Sequence, residues 1–92
     1  MDDVAIFARI TGRVQGVSFR AWTRERALAL GLTGWVRNEP DGAVRALIAG
    51  PRTRVDRMIS DLQGGPPAAR VDAVETKRAE NSDAQKDFRI LL

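Results

Sequence analysis

Two residues of this chain have the chemistry to grip a phosphate and to aim a water at it. Arg20 closes the stretch GRVQGVSFR at 12–20, and Asn38 closes the run GWVRN at 34–38. A guanidinium is a permanent cation whose planar fork of donors matches the oxygens of a phosphate. A carboxamide donates and accepts at once, which suits it to orient a water. The loop ahead of Arg20 adds a third component. Gly16 permits a backbone in which successive N–H groups of 15–19 turn inward as a nest for a compact anion.

The residues that are missing narrow the chemistry further. The 92 residues include no Cys and no His. That removes disulfides, thiolate nucleophiles and any Cys-bearing zinc site. It also removes the usual general base near pH 7 and the commonest metal ligand. Val14 and Arg20 have the Cys-x5-Arg spacing of a thiol phosphatase loop, but a valine cannot attack phosphorus. The formal net charge is +3, from 13 Arg and 2 Lys against 12 acids. These charges are interleaved along the chain, which reads as an Arg-rich composition and not as a nucleic-acid surface. MDDVAIFARI opens on two acids and carries no long apolar run, and no stretch reaches the ~18 apolar residues of a membrane span. The expected compartment is the cytoplasm.

The elements that must position Arg20 and Asn38 follow from periodicity. Residues 4–11 alternate, with Ile6, Ala8 and Ile10 on one face and Phe7, Arg9 and Thr11 on the other, as in a strand with one buried side. Residues 19–30 suit a helix, with Phe19, Thr23, Ala27 and Leu30 on one stripe. Ser18 stands at the N-cap position, and Gly31 with Leu32 can close the C-terminus. Residues 32–38 and 43–49 read as two strands, and the EPDG between them is a hairpin turn. GP at 50–51 leads into a second helix whose inner face is Val55, Met58, Ile59 and Leu62, stopped by GGPP at 64–67. Residues 70–78 read as a weaker strand with Val74 and Thr76 on one side. The polar stretch AENSDAQ precedes a short closing strand in FRILL. The order predicts one antiparallel-rich sheet with two helices on one face, in a single domain over 1–92.

Topology brings the two residues together. The first strand, first helix and second strand form a crossover unit, so both strands run the same way and end at the same sheet edge. The helix N-terminus lies there too, with free N–H groups and a partial positive charge. Asn38 ends the second strand on the side of Leu32 and Val36, which the helices are expected to cover. A glycine-bearing turn, an exposed arginine or a turn-forming asparagine is each common as plain structure. Their placement at one edge points to an oxyanion site.

GRVQGVSFR and GWVRNEPDGAV resemble the acylphosphatase family, whose pattern is G-x-V-Q-G-V-x-F-R followed by G-x-V-x-N-x-x-D-G-x-V. The likeness continues through LGLTGWV, GP and GGPPAARV, over nearly the whole chain, and the length is that of a free-standing member. That reading is preferred to the acylphosphatase-like domain of large hydrogenase maturation proteins that act on carbamoyl phosphate. The resemblance implies an α+β, ferredoxin-like α/β sandwich of βαββαβ order with four main strands and a short fifth. It implies hydrolysis of the carboxyl–phosphate anhydride of acyl phosphates. The catalytic residues fall on Arg20 and Asn38, and the phosphate cradle on the backbone of Gln15, Gly16, Val17, Ser18 and Phe19. It implies no cofactor and no metal, with the substrate's own phosphate oxygen as base. The expected partner is a small-molecule acyl phosphate, with no nucleic acid, no membrane and a monomeric chain. An RNA-recognition domain shares the element order but needs aromatics on its open sheet face. AVRALIA has none, and Phe7 is the one candidate on the first strand. Trp22 and Trp35 are expected to pack, and Asp41 and Gly42 to make the turn. Arg13, Arg24, Arg37 and Arg45 are expected on a solvated surface, with Arg13 or Arg37 placed to steer anions.

Overall fold

Strand alternation and helical stripes resolve into seven elements in a computed structural model that describes residues 3–80 and 86–91. They are β1 (Asp3–Arg13), α1 (Phe19–Ala29), β2 (Thr33–Asn38), β3 (Val44–Pro51), α2 (Arg52–Gly64), β4 (Arg70–Arg78) and β5 (Phe88–Ile90). One five-stranded sheet has the order β4-β1-β3-β2-β5. β3 is antiparallel to both β1 and β2, so β1 and β2 run the same way, as the crossover requires. β5 adds beside β2 in parallel, with Gly34 opposite Phe88. The sheet is therefore mixed, with its one parallel pair at the short strand. Most of AENSDAQ falls at 81–85, outside the described residues.

Both helices cover one face. α1 packs over β2 and β5, and α2 over β4, β1 and β3. The stripes behave as their spacing predicts: Phe19, Thr23 and Ala27 of α1, and Val55, Met58 and Leu62 of α2, are buried. They meet Ala8, Ile10, Val36, Val44, Ala46 and Ile48 from the sheet in one cluster. α1 ends in a Schellman motif. The Leu32 N–H donates to Ala27 O at 2.9 Å and the Gly31 N–H to Leu28 O at 3.0 Å, with Gly31 at φ 69°. Leu32 is buried at this corner, so Leu32→Ala would cost about 2–5 kcal/mol.

The opposite face carries no helix, yet Leu47 in its centre is fully buried. Phe7 and Trp35 flank it in register on the neighbouring strands, their ring centroids 6.1 Å apart. The Arg37 guanidinium lies 4.8 Å from the Trp35 ring and that of Arg45 4.8 Å from Phe7. Both arginines stay partly exposed, as a solvated surface implies, and in addition they roof the aromatics through their planar faces, which covers this side of the sheet without a further element.

β4 departs from strict alternation. Its pairing with β1 shifts between Thr11, opposite Ala73, and Gly12, opposite Val71, leaving Asp72 as an extra residue. The bulge turns Val71 to the same side as Val74, and both pack on the core. Gly12 permits the close approach: a Cβ there would collide with Arg70 O and Asp72 N.

Candidate active site

β1 delivers the chain to the loop at 14–18 and then to α1. Val14 anchors the loop in the core at 1% exposure, and Phe19 anchors its far end at 2%. Between them the backbone enters the left-handed region twice, at Gly16 (φ 74°) and Ser18 (φ 62°). Ser18 does stand at the N-cap, but its hydroxyl makes no capping bond. A capping side chain needs an extended backbone, which the left-handed turn at Ser18 rules out. The first turn of α1 is left open as a result. Among the described residues, no backbone N–H from Gln15 to Ala21 donates to a protein acceptor, and the first that does is Trp22, to Ser18 O at 3.0 Å. A run of unpartnered donors at a helix N-terminus is a natural anion site.

Arg20 is the second residue of α1 and half-buried, with no carboxylate or hydrogen-bond partner among the described residues. It lines a cleft of about 360 Å³ with Val14, Gly16, Ser18, Phe19, Ala21, Asn38 and Ile90. No acidic side chain is in that set, so Arg20 sets its sign. Asn38 reaches the cleft from the last position of β2, opposite Val44 of β3. Its Oδ1 is buried and has no protein hydrogen-bond partner. Leaving such an acceptor dry costs about 1–3 kcal/mol, so the geometry favours a water or a ligand donor at this point. A larger depression of about 500 Å³, between Asp3–Ala5 and Arg78–Glu80, lies at the other end of β1, and its lining sets the acids Asp3 and Glu80 beside Arg78.

The turn after Asn38 is fixed from several sides. The Ala43 N–H donates to Asp41 Oδ1 at 3.1 Å, and Arg9 reaches Asp41 Oδ2 at 2.5 Å. The hydrogen bond from Arg9, and then that from Ala43, holds the Asp41 carboxyl below the usual carboxylate range. Gly42 takes φ 96°, as turn chemistry predicts.

Two contributors escaped the sequence reading. The Gln15 side chain turns away from the cleft and donates from Nε2 to Glu39 O at 2.8 Å and Ala43 O at 2.9 Å. Ile90, half-exposed, puts an apolar edge on the cleft from β5. Motif spacing locates the backbone of Gln15 but says nothing of a partner 24 or 28 residues away. The short β5 gives no signal of where it docks. Arg24 is exposed, as expected, and it also donates to Phe88 O at 3.2 Å, which ties β5 to α1.

Known proteins share this fold. The acylphosphatase family model matches residues 6–90. The acylphosphatase of Rhizobium etli is 56% identical over 86 residues, 94% of this chain and 92% of that protein. An acylphosphatase structure from Coxiella burnetii superposes with a TM-score of 0.93 at 36% identity, covering 98% of this chain and 94% of the other. The crystal structure of acylphosphatase from Bacillus subtilis gives 0.92 at 28% identity, covering 97% and 99%. The fold is ferredoxin-like α+β, and the chain belongs to the acylphosphatase family.

Proposed function

We propose that the chain hydrolyses the carboxyl–phosphate anhydride of small acyl phosphates in a single displacement, with the phosphoryl group held by the backbone of Gln15, Gly16, Val17, Ser18 and Phe19 and by Arg20. Water oriented by Asn38 attacks phosphorus in line. The P–O bond to the acyl group breaks, and the carboxylate leaves with its electron pair. The water's proton passes to a phosphoryl oxygen of the substrate. A carboxylate is a weak base, with a conjugate-acid pKa of about 4, so it leaves without help from a protein acid. The loop amides and Arg20 act on the charge that shifts among the phosphoryl oxygens in the transition state.

The observation that carries this reading is the run of unpartnered N–H groups from Gln15 to Ala21 beside an unpaired guanidinium and an orphaned amide oxygen. Action as a cytoplasmic monomer, without nucleic acid, is part of the same proposal. Among the described residues no helix is long and apolar enough to cross a membrane.

The test is benzoyl phosphate hydrolysis, followed in the ultraviolet with a chelator present, by the native chain, Arg20→Ala and Asn38→Ala. Losing one oriented donor typically costs ~10²–10³ in rate, and Arg20→Ala is expected to cost more. Equal rates for all three would remove the assignment, and loss of native activity with chelator would contradict a metal-free route.

A further inference from the structure

β1 and β2 are not neighbours in the sheet, because β3 lies between them. At the edge where the cleft forms, β3 has not yet begun: it starts at Val44, and the gap between the loop at 14–18 and Asn38 is spanned by the turn at 39–43. No ladder hydrogen bond can therefore fix how far the phosphate cradle sits from Asn38. Gln15 does reach across. Its two bonds go to Glu39 O, directly after Asn38, and to Ala43 O, directly before Val44. Asn38 and Val44 are the last pair of the β2–β3 ladder, so the two acceptors bracket that pair. Both partners are acceptors, which places the amide nitrogen, with its two hydrogens, toward the turn.

The turn does not need Gln15 to close. The Glu39 N–H already donates to Ala43 O at 2.8 Å, and the Gly42 N–H to Glu39 O at 3.2 Å. Among the described residues, the Gln15 side chain makes the hydrogen bonds that join residues 14–20 to 38–43, and no others do. What it adds is the registration of the turn against the loop. A misplacement of ~1 Å in a catalytic constellation can cost 10²-fold. We propose that the Gln15 carboxamide is a positioning residue that holds the Asn38 amide in register with the phosphate cradle. This rests on the water-orienting reading of Asn38 and adds a residue that acts through it.

The experiment is a double-mutant cycle. Gln15→Met keeps length and loses both donors; Gln15→Glu is near-isosteric and faces the two carbonyls with a carboxylate. Each is made in the native and the Asn38→Ala backgrounds, with folding checked by circular dichroism. Benzoyl phosphate kcat and KM are measured together with the Ki of inorganic phosphate. In the native background Gln15→Met lowers kcat roughly ten- to a hundredfold. The phosphate Ki stays within about threefold, because the cradle and Arg20 are intact. In the Asn38→Ala background the same change costs nothing further. A Gln15 loss of equal size in both backgrounds, or a Ki that rises in step with the fall in kcat, overturns the proposal and leaves the Asn38 assignment standing. Native-like kcat in Asn38→Ala itself would overturn both. Should Gln15→Met fail to fold, Gln15→Glu is read through the same cycle with the same criteria.

Discussion

Arg20, one residue into α1, and Asn38, the last residue of β2, line one cleft although β3 separates the strands that lead to them. The crossover puts both at the same sheet edge, and the left-handed loop opens the helix N-terminus between them. In the proposed reaction the cation and the carboxamide divide the work: Arg20 holds the phosphoryl anion, and Asn38 orients the water.

That division predicts how phosphate itself behaves. A ligand that binds only the folded state raises stability by RT ln(1 + [L]/Kd), about 2.7 kcal/mol at 100 Kd. Inorganic phosphate is expected to raise the Tm of the native chain and of Asn38→Ala alike. Arg20→Ala should lose most of that rise. Arg20→Lys should keep part of it, since the charge remains but the bidentate fork does not. Equal phosphate protection in all four proteins would mean that the anion binds elsewhere.

Asn38 should show activity and stability moving apart. Its buried Oδ1 has no protein partner, so removing the amide removes an unmet acceptor instead of a bond. Asn38→Ala is expected to unfold at the native Tm or above it, while kcat falls ~10²-fold or more. A clear drop in Tm would assign the side chain a structural role that the hydrogen bonding does not support.

Much of this site was legible before any coordinates, and the reason is local. Gly16, Arg20, Asn38 and the EPDG turn act through backbone conformation and residue type, which spacing along the chain reports directly. Strand direction then followed from the single rule for crossovers. What stayed hidden depends on partners distant in sequence. The bulge at Asp72 is a relation between two strands, the arginine roof over Phe7 and Trp35 joins three, and the Gln15 clamp spans a turn whose approach no periodicity encodes. Ser18 stands at the N-cap as its position suggests, but the left-handed backbone of the loop takes its hydroxyl out of capping reach.

Gly16 separates cradle from scaffold. It sits at φ 74°, and a Cβ there would meet nothing within 4 Å. Gly16→Ala therefore carries only the left-handed backbone cost of about 1–2 kcal/mol. Gly12→Ala would drive its Cβ into the Arg70 carbonyl and should destabilise by more. Chemical denaturation is expected to rank the two in that order. Benzoyl phosphate assays should rank them in reverse, with the larger loss per unit of stability at Gly16. A Gly16→Ala chain of native activity would argue that the loop does not need its left-handed turn for catalysis.

The two helices supply a pH-dependent link away from the site. The Asp61 carboxylate of α2 accepts from Arg26 of α1 at 2.5 Å and from Arg57 at 3.4 Å. The hydrogen bond from Arg26 outweighs burial and lowers the Asp61 pKa below its ordinary value. A carboxyl held low in the folded state and at about 3.9 in the unfolded state stabilises the fold above that unfolded value. The contribution is lost as pH falls through the folded value. Stability to urea should then hold steady from about pH 7 to pH 5 and decline below about pH 4. Asp61→Asn should be less stable at pH 7 by up to about 1 kcal/mol, because the pair is partly solvated. Its decline with acid should be shallower, and the two curves should draw together as the pH falls below the unfolded value of about 3.9. Curves that stay parallel through that fall would show that Arg26 and Asp61 exert no net pull between α1 and α2 in solution.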